Sequence, residues 1–168
     1  MASSISIFFI TLTLLSTTTP SPTTTTPSVY KVLESFDFPI GLLPEGVTTY
    51  QLDNTTGNFI VNLDNDCTFT IQGYQLKYKS KITGTISKDV IKNISGIQVK
   101  ILFFWLSIVE VVRVDDEIQF SVGIASANFP VDGFYECPQC GCGFDCVNKV
   151  KGEIGFKNSV FFSYLFGN

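Results

Sequence analysis

Residues 96–124, GIQVKILFFWLSIVEVVRVDDEIQFSVGI, alternate strictly at both ends. Ile97, Val99 and Ile101 face one way and Gln98 and Lys100 the other; further on, Ile118, Phe120, Val122 and Ile124 alternate with Gln119, Ser121 and Gly123. A period of two belongs to a half-buried β-strand and does not suit a helix. Between the two ends, residues 101–106 are apolar at both parities, so this piece is expected to be covered on both faces. Glu110 and Arg113 interrupt the run and leave only 101–109 uncharged. That is far short of the roughly 20 apolar residues of a membrane-spanning helix, and its β-branched and aromatic content reads as strand. Asp115-Asp116 suits a hairpin turn between 107–114 and 117–124.

The remainder follows the same grammar. Val29, Val32, Leu33 and Phe36 recur at helical spacing, with Ser28 as N-cap and Asp37-Phe38-Pro39 as the stop. The turn-rich connection after it still carries Ile40, Leu42, Leu43 and Val47, and is expected to pack on the core. From Thr49 onward, short strand patterns alternate with turns at 54–57, 64–66 and 73. The expectation is an all-β domain over 29–146, mainly antiparallel, with one short N-terminal helix. A two-sided apolar run favours a barrel or sandwich over a single flat sheet.

Both ends of the chain differ from this middle. Residues 1–19 have the apolar segment of a secretory signal peptide, with small residues around Thr18 and Thr19 for cleavage. Residues 20–28 continue a stretch made only of Ser, Thr and Pro, read as a linker, with an O-glycosylated stalk as the sharper alternative. Residues 147–168 form a tail ending in VFFSYLF, too short in its apolar part for a lipid-anchor signal. Asn54 and Asn93 head N-glycosylation sequons, which suit an exported chain. The compartment expected is extracellular.

Composition removes whole function classes. The 168 residues contain no histidine, so Ser-His-Asp and Cys-His nucleophilic sites, His bases and His metal ligands are excluded. A net charge of −4 without a basic cluster argues against nucleic acid as a partner. No cofactor motif is present. Of five cysteines, Cys137, Cys140, Cys142 and Cys146 crowd together and Cys67 stands apart. An oxidising route favours disulfides, two bridges with one thiol left over, one of them joining Cys67 to the cluster. The compressed spacing fits zinc poorly, since tetrahedral sites join two Cys-x-x-Cys knuckles over a longer spacer.

FPIGLLPEGVTTYQLDNTTGNFIVNL (38–63), YKSKITGTIS (78–87), GIQVKILFFWLSI (96–108) and VGIASANFP (122–130) together resemble the plant family known as domain of unknown function 538. The resemblance implies a compact, mostly antiparallel β-barrel-like domain, commonly exported. It also implies a similarity proposed to the lipid-binding domain of bactericidal/permeability-increasing proteins, and a suggested ester-hydrolase activity toward chlorophyll. Cys67 and Cys140 sit where many members carry their two cysteines, which implies that these two pair. A further pair would then come from Cys137, Cys142 and Cys146.

Three functions follow as expectations. The first is a non-enzymatic binding module for a lipid or other amphipathic small molecule. Lys77, Lys79 and Lys81 lie on one strand face as a candidate headgroup surface, although a solvated outer face of an amphipathic strand is the favoured explanation of them. Tyr78, Phe103 and Trp105 are the candidate cavity lining. The second is an ester hydrolase, which lacks a G-x-S-x-G motif and would need a nucleophile activated without histidine. Asp64 with Asp66, and Asp115 with Asp116, read as turn residues, not as catalytic carboxylate pairs. The third is a structural or interaction protein of the cell wall.

Overall fold

The computed structural model describes residues 27–144. The signal segment 1–19, all but the last two residues of the linker 20–28, Cys146 and the tail 147–168 lie outside the described residues. Within them the chain is mainly antiparallel β-sheet with one short helix, the class expected from its patterning.

Helix α1, Val29–Ser35, begins at Ser28, whose hydroxyl accepts the Lys31 backbone N–H at 3.4 Å. Val29 and Leu33 are its buried face. Asp37 takes a left-handed φ of 63° and turns the chain out of the helix. A 3-10 turn at Ile40–Leu42 follows, with Phe38, Leu42 and Leu43 buried, so the turn-rich connection does pack on the core.

The strands are β1 Val47–Leu52, β2 Asn58–Leu63, β3 Cys67–Ile71, β4 Tyr74–Ser87, β5 Val90–Ile101, β6 Phe104–Ser107, β7 Glu110–Val114, β8 Glu117–Ser121 and β9 Ser126–Pro130. They form one sheet in the order β1-β2-β4-β5-β7-β8-β9, with β3 also on β4 and β6 also on β5. All pairs are antiparallel. The long hairpin β4–β5 is the trunk. β3 pairs with residues 74–78 of β4 and β2 with 81–85, while β7 pairs with 90–91 of β5 and β6 with 98–101. β1 and β9 end the main strand order and do not pair with each other, so the sheet curls without closing into a barrel. It curls enough to bury Ile82, Ile91 and Ile118 in one apolar core with α1.

Gly96 is not the start of a strand. β5 begins six residues earlier, after the two-residue turn Lys88-Asp89, in which Asp89 adopts φ 61°. Gly96 sits mid-strand at φ +99°, and a Cβ there would lie 2.4 Å from the Lys81 carbonyl oxygen. The β4–β5 register shifts between Tyr78 and Thr85, opposite this glycine. A bulge at this point needs a residue without a side chain.

Residues 101–106, expected to be covered on both faces, are not so covered. Ile101 pairs directly with Phe104, so Leu102 and Phe103 form a two-residue hairpin turn between β5 and β6. Leu102 and Phe104 are exposed, and Phe103 is 87% exposed. The apolar run is two-sided because it folds back on itself in mid-run. No Gly, Asn or Asp announces the turn; Leu102 itself takes the left-handed φ of 54°, at a strain of about 1 kcal/mol or more. The hairpin expected at Asp115-Asp116 is present, with Asp115 at φ 53°.

Cys67 and Cys140, the pair that the resemblance implied, are bonded across 73 residues. Cys142 is also disulfide-bonded, and Cys137 is a free, half-buried thiol. The long bridge fastens the segment after β9 to the buried end of β3. Its loop is long enough that replacing Cys67 and Cys140 by serine is expected to lower unfolding free energy by about 4 kcal/mol, measured by denaturant titration. Gly96→Ala is expected to cost about 2 kcal/mol or more, because positive φ and a backbone clash add. Gly73→Ala, with φ +85° but nothing within 4 Å of its Cβ, is expected to lose less. Equal losses at the two glycines would refute the close-approach account.

Candidate functional site

The curled sheet leaves a hollow of about 280 Å³ between the β3–β6 end of the trunk and the β8–β9 edge. Strand alternation builds it. Leu76, Val99, Ile101 and Leu106 come from the same face of β4, β5 and β6, because Leu76 pairs with Val99, Val99 with Leu106, and Ile101 with Phe104. Phe120 and Val122 supply the opposite wall, followed by Ile124, Ala125 and Ala127.

Aromatic edges form the floor. Tyr74 meets Phe129 at 5.5 Å between ring centroids, Phe129 meets Phe120 at 5.7 Å, and Phe120 meets Phe134 at 5.6 Å. The first two contacts are edge-to-face, the arrangement that the ring quadrupole favours. Gln72, Ser126 and the Tyr74 hydroxyl are the polar side-chain groups of the lining, which includes no carboxylate, ammonium or thiol. A second space, about 60 Å³, lies under α1 among Leu33, Leu42, Ile82 and Ile91 and is a packing interstice of the core.

Of the three candidate cavity residues, none lines the larger hollow. Tyr78 lines the interstice; it is buried, its hydroxyl donates to the Leu42 carbonyl at 3.0 Å, and burial pushes its ionisation up. Phe103 is out at the hairpin turn. Trp105 pairs with Lys100 and so lies on the outer face, partly exposed. The hollow uses Ile101, the cross-strand partner of Phe104, and Leu106, which lies two residues on from Phe104 on the same face of β6. The signal for them was the alternation at 118–124 and the small residues Ala125 and Ala127, which leave space where a larger side chain would fill it.

The lysines lie on the outer face, away from the hollow, and are not equivalent. Lys79 is tied to Asp66 at 2.8 Å, a hydrogen bond that raises the lysine's pKa and lowers that of the aspartate. Asp66 also accepts the Ser80 backbone N–H at 2.9 Å, a structural role in the β2–β3 turn. Lys77 is half-buried, with its ammonium 5.9 Å from the centre of the Trp105 ring. Lys81 is exposed.

Asn54 lies in the exposed β1–β2 turn. Asn93 is exposed at φ 53° within β5, inside a strand and not at its end. Cys137 packs its sulfur 3.6 Å from the Ile40 carbonyl oxygen, and burial, followed by nearby Glu45, pushes the thiol up, away from nucleophilic character. Among the described residues, no cluster of three or more Cys, Asp or Glu side chains could hold a metal ion.

Comparison with known proteins agrees with the sequence motifs. An uncharacterized protein of Arabidopsis thaliana is 26% identical over 98 residues, which are 56% of this chain and 55% of that protein. The chain thus spans about half the length of the curated relative it matches. Residues 29–135, from the first residue of α1 to just past the 3-10 turn after β9, match the family described as "Protein of unknown function, DUF538". The described sheet lies within that match, and the chain belongs to this family.

Proposed function

We propose that the protein is an exported, non-enzymatic binding module that holds a lipid-like or amphipathic small molecule in the hollow between β3–β6 and β8–β9. The observation that carries this reading is the lining: about 280 Å³ of space walled by aliphatic and aromatic side chains. An engineered apolar cavity of about 150 Å³ stays dry and takes up benzene, so a larger one has room for a longer apolar group. Small-molecule sites run upward from about 300 Å³ and are mostly apolar with a few polar groups that orient the ligand. Gln72, Ser126 and Tyr74 are those groups here.

Binding is favoured over hydrolysis by the same lining. Ser126 has no carboxylate or amine among its fellow lining residues to take its proton, and Cys137 lies outside the hollow with its thiol held protonated. Export and a cell-wall or apoplastic location are supported by the N-terminal apolar segment, the disulfides and two exposed sequons.

Native mass spectrometry of the protein secreted from a eukaryotic host tests the reading. A retained mass of lipid or isoprenoid size is expected, and Ala127→Leu, which narrows the hollow, is expected to lower its retention about tenfold. Circular dichroism checks that this variant folds. An unliganded wild type that also fails to take up added fatty acid, or a variant that retains ligand equally, would overturn the proposal.

A further inference from the structure

We propose that the β5–β6 hairpin tip, Leu102 to Trp105, inserts into the interfacial layer of a lipid bilayer with anionic headgroups and docks the protein on that membrane. This goes beyond the binding reading and does not rest on it, because none of these four side chains lines the hollow. Four large apolar residues are consecutive and exposed at one turn: Leu102 at 66%, Phe103 at 87%, Phe104 at 69% and Trp105 at 37%. Ile124, 92% exposed, stands on the β8–β9 connection that walls the same hollow as Ile101.

Charge is arranged around this tip in a telling way. Gln75 pairs with Lys100, so the β3–β4 turn lies beside the β5–β6 turn. Residues 67–76, 101–109 and 118–131 contain no charged side chain at all. The first charges met behind the two adjacent turns on the trunk are Lys77 and Lys100, both cationic in a chain of net charge −4. Lys77 lies against Trp105, and Lys100 pairs with it across the strands. Apolar tip, then tryptophan, then ammonium is the depth order of an interface: acyl boundary, headgroup level, phosphate.

Two further observations favour a membrane over a protein partner. A two-residue turn is convex and narrow, whereas a specific protein interface needs about 800 Å² on each side. A bilayer yields to a convex wedge and needs no matching pocket. The tip also keeps a leucine in the left-handed region, where glycine or asparagine would be unstrained. That strain orders no packing, since Leu102 is exposed; it serves to present another apolar side chain. The β1–β2 turn that carries the Asn54 sequon is at the opposite end of the trunk, where the Gly57 carbonyl accepts the Ile86 N–H, so a glycan there would be remote from the tip.

Trp105 is the sole tryptophan of the chain and reports on the tip directly. Fluorescence titration with phosphatidylcholine vesicles, with and without a minority of phosphatidylglycerol, tests the proposal. A blue shift, and quenching by lipids brominated near the headgroup, are expected with the anionic vesicles. Phe103→Ser is expected to weaken partitioning about tenfold or more. Lys77→Gln and Lys100→Gln are each expected to weaken it about fivefold on anionic vesicles and little on neutral ones. Phe103 and Lys100 are exposed and Lys77 is half-buried, and circular dichroism checks that each variant folds. Trp105 emission unchanged by either vesicle, or a Phe103→Ser variant that partitions like wild type, would overturn the proposal. So would concentration-dependent dimerisation through the tip without vesicle binding, which would assign the surface to a second copy of the chain.

Discussion

Gly96 stands where the backbones of β4 and β5 approach too closely for any side chain, and the architecture hangs on the hairpin that this approach permits. β2 and β3 hydrogen-bond to β4, and β6 and β7 to β5, so five of the eight strand pairings involve these two. The bulge opposite Gly96 shifts the β4–β5 register between Tyr78 and Thr85. Bulges bend strands and increase their twist. The sheet therefore turns over on itself, burying Ile82, Ile91 and Ile118, instead of lying flat with one wet face.

The same bending leaves the hollow. A closed barrel would tie the two ends of the strand order together, but β1 and β9 do not pair with each other, and the β8–β9 arm stands off the β3–β6 end of the trunk. Tyr74, Phe129, Phe120 and Phe134 fill the base by ring edges, while Ala125 and Ala127 leave the wall open. The bridge from Cys67 to Cys140 holds the chain segment after β9 against β3, the strand whose Ile71 lines the hollow. The staple thus follows the β8–β9 arm in the chain and ties it back to β3, which limits how far the arm can swing.

Much of this was legible in the chain. Period-two alternation identified the strands, Ser28 the helix start, and Asp115-Asp116 a hairpin, because each reports a local rule obeyed locally. Turn chemistry failed at Leu102-Phe103 and at Lys88-Asp89, where no glycine or asparagine marks the reversal and the backbone is held in place by the ladders on either side. Those failures propagated to the site. Taking 101–106 as one doubly covered strand put Phe103 and Trp105 inside, when the reversal places them at the tip and on the outer face. The hollow itself depends on how two distant arms lean together, and no local pattern encodes that.

The central claim is that the space beside β8 and β9 receives an apolar ligand while the core under α1 does not. Isoleucine methyl resonances separate the two directly, since Ile71, Ile101 and Ile124 line the hollow and Ile82, Ile86 and Ile91 line only the interstice. In a fatty-acid titration followed by methyl NMR, saturable shifts confined to the first three are predicted. Shifts centred on the second three, or no saturable shift at any of them, would contradict the account.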